Sequence, residues 1–281
     1  MTVVALCSLK GAPGVTTSAV ALAAGWPAGG QPVVVECDPA GGDLMARYRL
    51  ELNPGLVTLA AAGRRAGEDA GLIWQHTQRL SGGLPVIAGP PSAGQARAAL
   101  TELTAGPHGS LLRRAASRPG VVVIADCGRV DADSPVLDVV READVMLLVA
   151  GAGDEALAHL AVMVRPAATW SRRPRLVLVG PGYPTEEITQ ALGTAELGMH
   201  VAARIPHDPA GARAFGGQPA SRAAPGRSRL GRAASELAAR VAQDALTTPL
   251  PVPRSSVTAV SDGDQHHGAD TIPDLTHRML R

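Results

Sequence analysis

The chain holds a single lysine, Lys10, set in the run Lys10-Gly11-Ala12-Pro13-Gly14-Val15-Thr16-Thr17. All the other members of its 26 basic residues are arginines. An ammonium is a compact point charge on a thin stem, whereas a guanidinium is a wide planar fork. A lone lysine inside a glycine-containing turn therefore points to a phosphate contact; a chance survivor of an arginine-biased composition is the alternative. The run follows a short apolar stretch and leads into an alanine-rich one, so it reads as the turn between a strand and a helix. Backbone N–H groups converge at such a turn, and the helix dipole favours an anion there. Two aspartates complete the picture: Asp38 after Pro32-Val33-Val34-Val35-Glu36-Cys37, and Asp126 after Val121 to Ala125. A carboxylate at a strand end can hold a divalent cation or orient water, or it can simply cap a loop.

The elements that must place these groups follow from the apolar pattern. Val3 to Ser8 and Pro32 to Cys37 read as short buried strands, and Gly14 to Gly25 as a helix with Thr16, Thr17 and Ser18 in its first turn. Helical spacing is expected over 68–80 and 93–103, with a strand at Leu84 to Gly89 between them. Further strands fall at Val121 to Ala125, Val145 to Val149, Leu176 to Val179 and Val201 to Ile205. Helices are expected at Glu155 to Val164 and from about Ser228 to Leu246. Strands alternating with helices give βαβ units, so the fold class is α/β, a mostly parallel twisted sheet flanked by helices on both faces. Residues 1–246 form the expected domain, which carries this phosphate-binding turn. Composition shifts to Pro, Ser, Thr, Asp and His from Thr247, so 247–281 is expected to be a largely disordered tail with a short terminal helix over 271–281.

Composition excludes several classes. Phe215 is the only phenylalanine, so the core must be aliphatic, which suits parallel strands under alanine-rich helices. A net charge of +1 gives no global field toward nucleic acid or an anionic membrane. Cys7, Cys37 and Cys127 are too few and scattered for a disulfide framework, and a reducing cytoplasmic location is expected. They fall near the ends of three neighbouring strands and could form a metal or redox site. Burial as small apolar residues is the preferred reading, since no C-x-x-C spacing exists. No signal peptide or spanning segment is visible.

The general phosphate-loop pattern G-x-x-x-x-G-K-[ST] is not met, because Leu9 stands at its first glycine and Val15 at its lysine. The arrangement K-G-x-x-G-x-T-T nevertheless resembles the deviant loop, K-G-G-x-G-K-T-T, of the ParA/MinD family of P-loop ATPases. The resemblance implies ATP or ADP and Mg²⁺ as cofactors, with Lys10, Gly11, Ala12, Pro13, Gly14, Val15, Thr16 and Thr17 around the phosphates. Lys10 matches the lysine that reaches a partner subunit's nucleotide, Thr16 the magnesium-binding hydroxyl, and Thr17 the threonine that helps hold phosphate. Glu36-Cys37-Asp38-Pro39 resembles the switch segment D-x-D-P, which implies that Asp38 positions the attacking water near the metal. Val121 to Asp126 resembles the strand whose aspartate, here Asp126, lies by magnesium; Cys127-Gly128-Arg129 replaces the usual continuation. Ile205-Pro206-His207-Asp208-Pro209 resembles the late turn beside the base, implying cofactor contacts at Pro206 and Asp208. Gly180-Pro181-Gly182 stands where the family has a base-contacting asparagine.

With Val15 at the lysine position, an arginine could supply the charge. Arg47, Arg49 and Arg129 are near in sequence, and ordinary surface charge is the preferred reading of each. The resemblance further implies a nucleotide-dependent homodimer that works as a switch in DNA partitioning, protein positioning, or secretion or pilus assembly, with a protein partner from such a system. The alternative is a degenerate pseudo-ATPase scaffold or adaptor with little or no hydrolysis. Arg222, Arg227, Arg229, Arg232 and Arg240 around the last helix could meet non-specific DNA through its phosphates, a solvated helix face being the competing reading. Ile272, Leu275 and Met279 faintly resemble a membrane anchor, but the segment is short and carries Asp274, so a membrane partner is not expected.

Overall fold

A computed structural model of the chain describes residues 2–10, 14–64, 69–105, 110–218 and 224–246. In chain order the elements are β1 (Thr2–Ser8), α1 (Val15–Ala24), β2 (Gln31–Glu36), α2 (Leu44–Tyr48), α3 (Leu56–Gly63), α4 (Leu72–Gln75), β3 (Gln78–Arg79) and β4 (Pro85–Ile87). They continue with α5 (Ala93–Thr104), α6 (Leu111–Ala116), β5 (Val121–Arg129), α7 (Leu137–Glu142), β6 (Val145–Gly151), α8 (Asp154–Ala168) and β7 (Pro174–Val179). The last are α9 (Thr185–Leu192), β8 (His200–Ile205), α10 (Pro209–Ala214), a single 3-10 turn at Pro225–Arg227, and α11 (Arg229–Leu246). The expected tail, 247–281, lies outside the described residues, as does Arg222.

The strands form one sheet in the order β3-β4-β2-β5-β1-β6-β7-β8, parallel except for the β3–β4 pair. The chain starts in the middle and winds outward in both directions, which places β1 between β5 and β6. Strand alternation then sorts the side chains. Val3, Ala5 and Cys7 of β1, with Val33, Val35, Val123 and Ala125, join a core covered by Leu56, Leu100, Leu112, Leu137 and Leu160. Val4, Leu6, Val34, Val122 and Ile124 face the other way, onto α1, Leu44, Phe215 and α11. Such two-sided burial is why these strands read as continuous apolar runs. Helix α11 presents Leu230, Ala234, Leu237, Ala238 and Val241 to that second core, the spacing of one helical face.

One expected element is corrected. The helix read over 68–80 is only the single turn α4, because Gln78 and Arg79 leave it to pair antiparallel with Val86 and Pro85 at the sheet edge. Helix α3 was not anticipated; a threonine in its first turn, Thr58, exchanges hydrogen bonds of 2.9 Å with both backbone groups of Gly55. Asp126 does not end its strand either. Strand β5 runs on to Arg129 with a register shift against β1 between Leu6 and Ser8.

Candidate functional site

Helix α1 begins immediately at Val15, and Gly14 before it is in the left-handed region at φ 86°. That conformation favours glycine and turns the chain sharply from the loop into the helix. Val15 is 6% exposed and packs into the core beneath α1. The lysine position of the general pattern is therefore occupied by a packed aliphatic side chain, and Thr16 and Thr17 carry the polar chemistry of the first turn.

The carboxylates of β2 and β5 share the sheet face on which α1 lies. Glu36 and Asp126 are direct partners in the β2–β5 register, and both are buried. Glu36 is fully used. Its Oε1 accepts from the backbone N–H groups of Asp43 (2.6 Å) and Leu44 (3.0 Å), and its Oε2 accepts from Gly89 N–H (2.8 Å). One side chain thus fixes the start of α2 and ties it to the end of β4. Burial, and then the negative charge of Asp126, raises its pKa to about 7 against the pull of those three donors.

Asp126 is only half used. Its Oδ1 accepts from Gly128 N–H at 3.3 Å, while its Oδ2 is buried and has no partner at ordinary hydrogen-bond geometry among the described residues. Burial lifts its pKa to about 6; the Thr16 hydroxyl, the Gly128 amide and the Arg47 charge lower it, and Asp38 raises it. Asp38 stands beside it. Its Oδ1 accepts from Ala40 N–H at 2.8 Å, and its carboxylate lies over Gly128, where any Cβ would collide with it. Gly128 also has φ 56°, a left-handed conformation that favours glycine. Burial first, and Asp43 after it, raises the Asp38 pKa, while the Ala40 amide lowers it.

Helix α2 brings in a basic group. Arg47 donates through Nη1 to the Thr17 hydroxyl at 3.3 Å and through Nη2 to Asp43 at 2.6 Å. Lys10 turns the other way. Its ammonium donates to His159 Nε2 of α8 at 2.9 Å, beside a cavity of about 210 Å³ at the end of β6. The site at the carboxyl edge of β1, β2 and β5 thus holds two hydroxyls, a helix N-terminus, two partly satisfied carboxylates and a guanidinium.

No family model and no curated protein matches the chain. Solved structures do. A ParA family ATPase from Chlorobium tepidum has a TM-score of 0.64 at 19% identity, over 85% of this chain and 98% of that one. The cell division ATPase MinD of Pyrococcus furiosus gives 0.62 at 19% identity, over 86% and 98%. The septum site-determining protein MinD of Pyrococcus horikoshii, complexed with Mg-ADP, gives 0.58 at 19% identity, over 85% and 95%. The chain has the ParA/MinD fold.

Within that ParA/MinD fold the structure brings Gly14, Val15, Thr16, Thr17, Asp38 and Asp126 to one edge of the sheet. Gly11, Ala12 and Pro13 lie outside the described residues. Pro206 and Asp208 follow β8, the far edge strand, three strands from β1. The Asp208 carboxylate accepts from the backbone N–H groups of Gly211 (2.9 Å) and Leu230 (3.0 Å), so it caps α10 and anchors the start of α11. Those donors lower its pKa. Arg204 of β8 donates to the carbonyl oxygens of Tyr183 and Gly180, fixing the loop that follows β7.

The three cysteines fall on the opposite face from Glu36 and Asp126. All are buried and burial raises each thiol pKa, which fits their reading as small apolar residues. Among the described residues no three His, Cys, Asp or Glu side chains are grouped to hold a metal on their own. Sequence reasoning missed the Glu36 hydrogen bonds and the reach of Arg47. Arg49 and Arg129 are exposed, as expected of surface charge.

Proposed function

We propose that this chain binds ATP or ADP with Mg²⁺ at the first turn of α1 and acts as a nucleotide-dependent dimeric switch of the ParA/MinD type. The observation that carries the reading is Asp126, a buried carboxylate with one oxygen unpartnered, beside Thr16 at a helix N-terminus. A buried orphan acceptor costs stability unless a ligand completes it. Mg²⁺ binds through one or two carboxylates, keeps several waters and takes phosphate oxygens as its other ligands, so an isolated protein cage is not needed. Thr16 and Asp126 would hold the ion, with Asp38 adjacent, and the ion would neutralise phosphate charge. The Mg-ADP bound by the Pyrococcus horikoshii protein of the same fold supports this choice of ligand.

The protein's own groups divide the work. The N–H groups at the start of α1 would face the phosphates, and the Thr17 hydroxyl would donate to them. Asp38 would hold a water against the terminal phosphate and take up its proton. Lys10, exposed and held among the described residues by His159 alone, would cross to a second subunit's nucleotide, which would make closure of a homodimer depend on the bound nucleotide. A cytoplasmic protein with a partner from a partitioning, positioning, secretion or pilus-assembly system fits that behaviour. Among the described residues no helix is long and apolar enough to cross a membrane.

Val15 favours a second reading, an adaptor that binds nucleotide with little or no turnover, because the side chain is committed to the core. Calorimetric titration with Mg-ADP and Mg-ATP, together with phosphate release, separates the two. Binding with turnover supports the switch. Binding without turnover supports the adaptor, and no binding at millimolar nucleotide sinks both.

A further inference from the structure

We infer that Arg47 is a phosphate-binding residue of this site, supplying from α2 the positive charge that Val15 does not supply from α1. The inference rests on the nucleotide reading above. A nucleoside di- or triphosphate brings several negative charges to a corner that already holds Asp38, Asp43 and Asp126. Mg²⁺ alone leaves the balance negative, so a cation of the protein has to lie close. Among the described residues Arg47 alone brings a basic side chain to hydrogen-bonding distance of the first turn of α1, through Thr17. Lys10 is at His159, on the other side of β1 from β2 and β5.

The packing explains how a residue 30 positions from Thr17 comes to lie there. Helix α2 has only five residues, too short to be stable by itself. It is held at one end by the Glu36 carboxylate on the amides of Asp43 and Leu44, and by Leu44, which is fully buried in the core under α1. Arg47 lies one turn further on and is directed back at α1. Its side chain is 32% exposed, against 63% for Asp43, so the guanidinium is the more enclosed end of that ion pair. An exposed i,i+4 pair on a short helix is a weak partner. A phosphate offers the same guanidinium a bidentate, doubly charge-assisted contact in the geometry a planar fork matches. Phosphate would therefore displace Asp43, and Arg47 would keep its place above Thr17. The unpartnered Asp126 oxygen, beside Thr16, marks the same corner independently as one that awaits a ligand.

The test is calorimetric titration of the full chain and its variants with Mg-ADP and Mg-ATP. Arg47→Gln is expected to bind roughly 10- to 100-fold more weakly than wild type, the worth of one charge-assisted hydrogen bond or two. Arg47→Lys should recover part of that loss, and Asp43→Asn, which frees the guanidinium, should bind several-fold more tightly. Wild-type affinity in Arg47→Gln overturns the inference and leaves nucleotide binding intact; no binding by the wild type overturns both. Thermal unfolding without nucleotide separates a lost contact from a lost fold. Should Arg47→Gln not fold, Asp43→Asn decides: tighter binding supports the role, and unchanged or weaker binding overturns it.

Discussion

Strands β2 and β5 carry neighbouring buried carboxylates that the fold treats in opposite ways. Glu36 accepts from three backbone amides and leaves no oxygen idle, whereas Asp126 accepts from one amide, has the Thr16 hydroxyl close by, and leaves Oδ2 without a partner at ordinary hydrogen-bond geometry among the described residues. Both sit on the same sheet face, in register, with pKa values raised chiefly by burial. Burial and charge therefore do not separate a structural carboxylate from a ligand-binding one here. Satisfaction of the oxygens does. Glu36 holds protein to protein, and Asp126 is held ready for something that is not protein.

The largest effect should come from breaking the satisfied member. Glu36→Ala removes the acceptor for three amides in a buried corner, each costing about 1–3 kcal/mol if left unpaired. Allowing for relaxation of the loop, a loss of about 3–5 kcal/mol is expected in urea unfolding. Asp126→Asn should be near neutral or stabilising in the same measurement, because it removes a buried charge that lies against Glu36. Equal destabilisation by both variants would end the distinction. The second effect inverts the first: Asp126→Asn should weaken Mg-nucleotide binding tenfold or more, by about 1.4 kcal/mol at least. Metal dependence of binding that survives in Asp126→Asn would count against its place by the ion.

A smaller effect separates the pair by pH. The folded pKa values, about 7 for Glu36 and about 6 for Asp126, lie above the ordinary 4.5 and 3.8. The folded state thus holds more protons than the unfolded one in that interval. The stability these groups provide is fully present below the ordinary values, falls as pH rises through the interval and is lost once the raised values are passed. For Asp126 alone the decline between pH ~5 and pH ~8 is about 1 kcal/mol. The lowered pKa of His76 works in the opposite direction, so the comparison is wild type against Asp126→Asn. A flatter stability–pH curve in the variant is expected, and saturating Mg-ADP should flatten the wild-type curve too. Identical curves would show that Asp126 is not the titrating group.

The sheet and its two covers were legible in the sequence because Val33 to Val35 and Val121 to Ile124 are β-branched runs and Val145 to Val149 is a continuous apolar one. The loop, Asp38 and Asp126 were legible by order along the chain. The site's support was not. Glu36 was visible only as the first position of the segment that resembles D-x-D-P, and its structural role was not, since its donors come from seven, eight and 53 positions away and are backbone groups with no sequence signature. Arg47 was assigned to the surface, because a helix as short as α2 has too few turns to show a periodicity. The misread helix over 68–80 has the same origin, as edge pairing with β4 overrode a local preference. Local pattern reveals what a segment is; which short segment bends back onto α1 depends on tertiary contacts.

Lys10 offers the sharpest contrast with both carboxylates, since it is exposed and bound to an exposed histidine across the surface. Such a contact contributes at most ~0.5 kcal/mol, so Lys10→Ala should leave urea unfolding unchanged within error. Its loss should also weaken nucleotide binding by the monomer less than Arg47→Gln does, because Lys10 does not face its own Thr17. What it should remove is the nucleotide-dependent rise in mass seen by light scattering coupled to gel filtration. The logic is that a side chain with no commitment to its own core or its own phosphates is the one able to serve a neighbour. If Lys10→Ala dimerises with Mg-ATP as the wild type does, the lysine serves no partner subunit. Its solitary place in an arginine-rich chain would then be an accident of composition.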